Sequence, residues 1–178
     1  MKDLTLKDFV LISEEEAIEK YSIDEQINGF CDMNVALFDG NLVIEGDFTL
    51  EGAVEEVSGY IITGNLTVGT YIFNTETDYG PFLFVMGKTK AQNINLGGSE
   101  AYFADDVEVE NVIYGEYNHG SIIFDGNVKA KVVLAYDHWI CFNGNVDALI
   151  IEQGGAVEGV IVDFYDDNIQ NILIDDLI

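Results

Sequence analysis

The chain of 178 residues carries 33 acidic side chains against 7 basic ones, a net charge of −26, and 48% of its residues are hydrophobic. That apolar content excludes a disordered polyelectrolyte, and a chain of this length buries roughly 70% of its unfolded surface, so one domain folds without disulfide or metal. All seven basic residues are lysine; without arginine or a basic surface, nucleic acid, anionic membrane and phosphorylated substrates are poor partners, and a basic protein or a cation is a good one.

The first residues, Met1 to Leu6, show no apolar run of the secretory kind. No later stretch is long enough to span a bilayer. Cys31 and Cys141 stand far apart, as free thiols in a reducing compartment do. The cytoplasm is therefore the expected location, and no cofactor or metal is expected. Ser13-Glu14-Glu15-Glu16 is a capping-box pattern ahead of Ala17-Ile18-Glu19-Lys20-Tyr21, so residues 13 to about 28 are expected to hold one or two short helices. The whole chain reads as one domain, with residues 1–35 as an N-terminal cap.

From residue 36 to residue 160 a motif recurs: glycine, then Asn or Asp, then an apolar residue. The copies are Gly46-Asp47-Phe48, Gly64-Asn65-Leu66, Gly126-Asn127-Val128 and Gly144-Asn145-Val146, with weaker ones at Gly87-Lys88-Thr89 and Asp105-Asp106-Val107. Their separations are 18, 23, 18, 21 and 18 residues. Gly40-Asn41-Leu42 fits as an additional, more closely spaced copy. Two and four residues to either side of the turn, nearly every position is apolar, and the positions between them after the turn are polar. Period 2 on both sides of a turn marks strands, and a third apolar patch, such as Ile94-Asn95-Leu96, follows in most units. Three short strands per unit of about 20 residues describe one coil of a solenoid. The fold class is all-β with a small α cap: a single-stranded parallel β-helix of about six coils of 18–23 residues. A β-sandwich is the rival fold. Residues 161–178, acidic and without a base, read as a C-terminal cap that discourages stacking on that end.

Stacked coils turn equivalent residues into ladders. Three places after the turn stand Thr49, Thr67, Lys90, Glu108, Lys129 and Asp147, the last four alternating in sign, which lets neighbouring rungs pair opposite charges. Three places before it stand Val43, Ile61, Phe84, Tyr102, Ile123 and Cys141, all facing outward by parity and none charged. An apolar stripe of this length needs a cover. Four covers are open: the N-terminal helix, the C-terminal segment with Ile169, Ile172, Leu173 and Ile174, a second copy in a homodimer, or a docked partner.

The corner ahead of each first strand collects both histidines. Asp78, Glu100, His119 and His138 are expected to stack along one edge, where paired imidazoles and carboxylates have the chemistry to hold zinc or move protons. Turn residues bonding a tight backbone explain the same composition. There is no glycine-rich phosphate loop, nucleophile elbow or cysteine cluster. Cys141 has no cationic neighbour in sequence and reads as packing.

The run Gly126-Asn127-Val128-Lys129-Ala130-Lys131-Val132-Val133-Leu134, echoed from Gly144 to Ile151, resembles the glycine-turn repeats of bactofilins, bacterial β-helix proteins that polymerise through their solenoid ends. The resemblance covers residues 36–160 and implies a β-helix and self-assembly; the long units and aromatic corners depart from the regular coils of that family. The build as a whole also resembles small acidic cytoplasmic bacterial solenoids, some of which are immunity partners of toxins. The expected function is non-enzymatic binding of a basic protein partner, of the toxin-neutralising kind. The alternatives are a self-assembling scaffold, or a metal-binding or hydrolytic protein using the His119/His138 corner.

Overall fold

The computed structural model describes residues 3–29, 33–117, 119–154 and 157–161, and the backbone of 164–165. Cys31 and residues 166–178, with the C-terminal segment named above, lie outside the described residues. The chain winds into a parallel β-solenoid of about six turns, with one short α-helix near its start. Among the described residues, strand pairs between coils are all parallel, which removes the β-sandwich, and the single antiparallel pair lies at the N-terminal end.

Each coil runs along three walls. The first wall is built by Asn34–Phe38, Val57–Ile62, Phe82–Val85, Glu100–Phe103, Ser121–Phe124, Trp139–Phe142 and Val157–Glu158. After the turn, the second wall begins at Asn41–Ile44 and ascends through Leu66–Val68, Thr89–Ala91 and Val107–Val109. The third wall holds Phe48–Thr49, Tyr71–Phe73, Asn93–Leu96 and Val112–Glu116. In the next two coils Val128–Tyr136 and Val146–Gln153 run through both of these walls without a break, with a one-residue bulge at the corner between Lys129 and Val132. Side chains of alternate parity from all three walls fill one interior, and there like stacks on like: Phe103, Phe124 and Phe142 lie in register, with ring centroids 5.2 Å apart at each step.

The turn that starts the stack is Gly40, not Gly46. Leu42 sits beside Leu66 on the second wall, whereas Phe48 pairs with Ile72 on the third. Both glycines fit the motif, but only Gly40 lies under Gly64, whose N–H donates to the Gly40 carbonyl at 3.0 Å. The first unit therefore spans 24 residues, with turns over residues 50–56 before the chain rejoins the first wall. Close stacking explains the turn glycines: a Cβ on Gly144 would come within 2.3 Å of the Gly126 carbonyl oxygen.

The residue after each turn makes the outer ladder. Asn65 N–H donates to Asn41 Oδ1 and Lys88 N–H to Asn65 Oδ1, both at 3.0 Å. Lys88 Nζ then reaches Asp106 at 2.7 Å, Asn127 donates through both its nitrogens to Asp106 Oδ1, and Asn145 does the same to Asn127 Oδ1. Asn41, Asn65, Asp106 and Asn127 thus each accept a backbone N–H from the coil above, and Lys88 pairs with the next side chain instead, which fixes register at a solvent-exposed turn. Lys88 and Asn127 together hold the Asp106 carboxyl down at about 2.

The cap forms as the capping box requires. Ser13 Oγ accepts from Glu16 N–H at 3.1 Å, the helix runs Glu14–Tyr21, and Ser22 closes it in the left-handed conformation with its N–H on the Ile18 carbonyl. A 3₁₀ turn, Ile23–Glu25, follows. Ahead of the helix, Asp3–Leu4 adds a parallel rung under Asn41 and Leu42, and Val10–Ser13 pairs antiparallel with Asn34–Phe38. Among the described residues no helix is long and apolar enough to cross a membrane.

Candidate functional site

Two places concentrate side chains that the fold alone does not require: the outer stripe of the first wall and the corner between the third wall and the first. The stripe is continuous. Ile61 pairs with Phe84, Phe84 with Tyr102, Tyr102 with Ile123, and Ile123 with Cys141. Val43 does not belong to it. It stands on the second wall beside Thr67, at the foot of the ladder that continues through Lys90, Glu108, Lys129 and Asp147. Thr49, expected in that charge ladder, lies instead beside Phe73 on the third wall. The true first rung of the stripe is Leu37, beside Ile61. The signal for it was the Gly40 copy of the motif, since Leu37 stands three places before that turn.

The chain covers most of this stripe itself. Ile12, Ala17, Ile23 and Ile27 from the cap pack on Leu37, Ile61, Phe84 and Tyr102, all of them buried, and on Phe82 beside them. Glu100 fastens the end of the cap: its Oε2 accepts from the N–H groups of Asn28, at 2.5 Å, and Gly29, at 3.2 Å. Beyond Tyr102 the cover thins. Ile123 and Cys141 are half-buried, and Trp139, next to them in the adjoining row, is 36% exposed. A polar fringe borders this end: the Tyr102 hydroxyl donates to Asp125, whose other oxygen accepts from Asn143 Nδ2 at 2.7 Å. Burial, with Glu158 and Asp125 nearby, pushes the Cys141 thiol up, so it is held as a neutral thiol.

The corner separates what its sequence positions suggested would converge. Only Asp78 and His119 meet, with Oδ1 to Nδ1 at 3.5 Å. Glu100 faces the cap. His138 is fully buried and lies over two glycines: a Cβ on Gly115 would come within 2.4 Å of its ring, and one on Gly120 within 2.7 Å. Its Nδ1 is 2.8 Å from the Tyr117 carbonyl oxygen, which only accepts, so Nδ1 carries the proton and Nε2 is left an acceptor without a partner. Burial holds its basicity below the ordinary histidine range. His138 is thus enclosed inside the corner, while His119 stands at the surface beside Asp78. Among the described residues no group of three or more His, Cys, Asp and Glu stands ready for a metal ion.

The corner does assemble aromatic rings. His119 lies 4.9 Å from the Tyr117 ring, edge-on, and 6.3 Å from the Tyr79 ring. Tyr79 belongs to a long corner two coils below; the coil between turns on Gly97 and Gly98, which carry no side chain. Gly98 must be glycine, because a Cβ there would come within 2.4 Å of Tyr79 N and 2.5 Å of the Thr77 carbonyl oxygen. Tyr117 and Asp137 take the left-handed conformation, at φ 78° and 49°, which bulky residues seldom adopt. The geometry defines a β-solenoid protein with a stripe covered in large part by its own cap and an aromatic, acidic corner. Compared with family models, curated proteins and solved structures, the chain matches none.

Proposed function

We propose that this protein is a non-enzymatic, acidic β-solenoid that binds a basic protein partner, in the manner of an immunity-type protein that neutralises a toxin by occupying its surface. The carboxylate excess carries the reading: seven lysines neutralise at most seven of 33 acids, and the described acids of the coils sit on a frame whose outer turns are hydrogen-bonded from coil to coil. A fixed field of one sign accelerates encounter with an oppositely charged protein and repels acidic ones. Because the cap already covers Leu37 to Tyr102, apolar docking contracts to the far end of the stripe, at Ile123, Cys141 and Trp139. A bactofilin-like scaffold is the weaker reading, because the antiparallel strand Val10–Ser13 ends the parallel stack on one side.

The test is capture from an extract of the source cells on immobilised protein at low and at high salt, followed by titration of the purified captured protein. The reading expects one basic partner whose affinity falls steeply as salt rises. Capture of nothing salt-sensitive, or of a partner equally tight at high salt, refutes it.

A further inference from the structure

Val10–Ser13 is the outermost strand of the first wall: it pairs with Asn34–Phe38 on one side, and among the described residues no strand pairs on its other side. In an antiparallel pair, alternate residues aim their N–H and C=O groups away from the partner. This edge therefore presents backbone donors and acceptors at the base of the molecule. The cap leads away from it. The chain leaves the strand at Ser13 and climbs the stripe, until Glu100 holds Asn28 and Gly29 three rungs above Asn34–Phe38. Leu11 shares a face with Ala36 of the core, yet Leu11 is 49% exposed where Ala36 is fully buried. Val10, in the row of Leu37, is 59% exposed. The interior column thus has no further rung beneath Leu11. Natural proteins blunt a sheet edge with charge, proline or a bulge. Val10-Leu11-Ile12-Ser13 has no charge and no proline, in a chain that is 22% charged, and it pairs without a register break. Acids bracket it instead, Asp8 ahead of it and Glu14, Glu15 and Glu16 behind; Lys7 is the one base among residues 3–16.

We propose that this edge receives an extended segment of the basic partner, which joins the first wall as one more strand. Main-chain bonds supply the attachment and alternate side chains the selection. The segment sets an apolar residue against Leu11 and carries a lysine or arginine at each end, toward Asp8 and toward Glu14 to Glu16. A second copy of this chain is the other way to fill an edge, and charge disfavours it. Pairing Val10 with Ser13 and Leu11 with Ile12 of a copy brings Asp8 of each to the end where Glu14, Glu15 and Glu16 of the other stand, and like charges across a strand pair repel. The inference rests on the reading of the partner as basic and adds a mode of contact to it: backbone pairing at the base of the solenoid, besides apolar docking at the far end of the stripe.

The probe is the peptide acetyl-Lys-Val-Thr-Val-Thr-Lys-amide, titrated into isotope-labelled protein at low salt while backbone amide signals are followed by NMR. The expected result is a saturable shift of the Val10–Ser13 amides, slower exchange of their outward N–H protons with heavy water, and an affinity that falls as salt rises. Acetyl-Lys-Gly-Gly-Gly-Gly-Lys-amide, equal in charge but poor in strand-forming residues, should bind about tenfold more weakly. The valine-threonine peptide with glutamate ends should lose about as much. Val10→Lys, a change at an exposed side chain, should weaken the lysine peptide about fivefold, and unchanged amide signals from Val57–Ile62 upward certify its fold. Shifts confined to other surfaces, equal binding of the glycine peptide, or a wild-type dimer that Val10→Lys returns to monomer in sedimentation overturns the proposal. If the purified natural partner binds Val10→Lys as tightly as wild type, the edge pairing falls and the general function stands. If no partner is found but the peptide adds to the edge, the function falls and the edge pairing stands.

Discussion

Ile61 and Ile123 occupy one row of the outer stripe and differ in what lies over them: the cap buries Ile61 completely, while Ile123 stays half-buried at the edge of the cover. Truncating each to alanine removes the same atoms. Each carbon lost beyond Cβ is worth about 0.8 kcal/mol of transfer, or about 2.4 kcal/mol for the side chain when it is fully buried. At Ile61 the cavity between wall and cap adds to this, giving about 3–4 kcal/mol. At Ile123 half of the transfer term is at stake and solvent reaches the gap, giving about 1 kcal/mol. Urea unfolding followed by circular dichroism reads the difference as a shift in midpoint at constant slope. Equal losses at the two positions would refute the account, because they would mean that the cap does not lie on the stripe.

Asn127→Ala removes the acceptor of two bonds from Asn145 and the donor to Asp106, and should cost about 1–2 kcal/mol at an exposed turn; a cost near zero in urea unfolding would mean the ladder merely decorates the stack. Gly115→Ala drives a methyl into the His138 ring and should lower the melting temperature well beyond the effect of Gly46→Ala, where a Cβ meets nothing within 4 Å; equal melting temperatures would place the ring elsewhere. Burial depresses the basicity of His138, so the unfolded chain takes up its proton first as pH falls. The stabilisation is complete above the unfolded value of about 6.5 and is lost as pH falls through it toward the lower folded one. Against a His138→Gln reference, the wild type's advantage should shrink between pH 7.5 and 5.5; a constant advantage would contradict the assignment. The Tyr60 hydroxyl, pushed up to about 12 by burial and donating to the Leu50 carbonyl at 2.6 Å, should be only about one-tenth ionised at pH 11, so the difference in phenolate absorption between wild type and Tyr60→Phe should stay small until the protein unfolds.

Alternation carried the solenoid. The parity that set Ile122 and Phe124 inside and Ile123 outside holds for every rung from Ile61 to Cys141, because a ladder repeats one local rule in each coil. The start of the stack was not legible in the same way: Gly40-Asn41-Leu42 and Gly46-Asp47-Phe48 satisfy the same rule, and only the partner strand decides between them. That choice moved Val43 to another wall and brought in Leu37. The helix was written in Ser13 and Glu16, but its resting place depends on contacts with residues distant in sequence, which no local pattern encodes. At the corner, equal spacing from the turn does not give equal position. Corner lengths differ between coils, so Glu100 falls on the wall beneath the cap, His138 folds inward over Gly115 and Gly120, and only His119 reaches Asp78. The tyrosines there read as turn composition; that Tyr79 and Tyr117 both reach His119 depends on contacts between coils, which no local pattern shows.

The strand Val10–Ser13 runs against the grain of every rung above it. A parallel column lengthens by accepting one more strand of like direction, and Val10–Ser13 occupies the edge of Asn34–Phe38 on which that strand would pair. On the first wall the parallel ladder therefore stops at Asn34–Phe38, while on the second wall Asp3–Leu4 carries it one rung further.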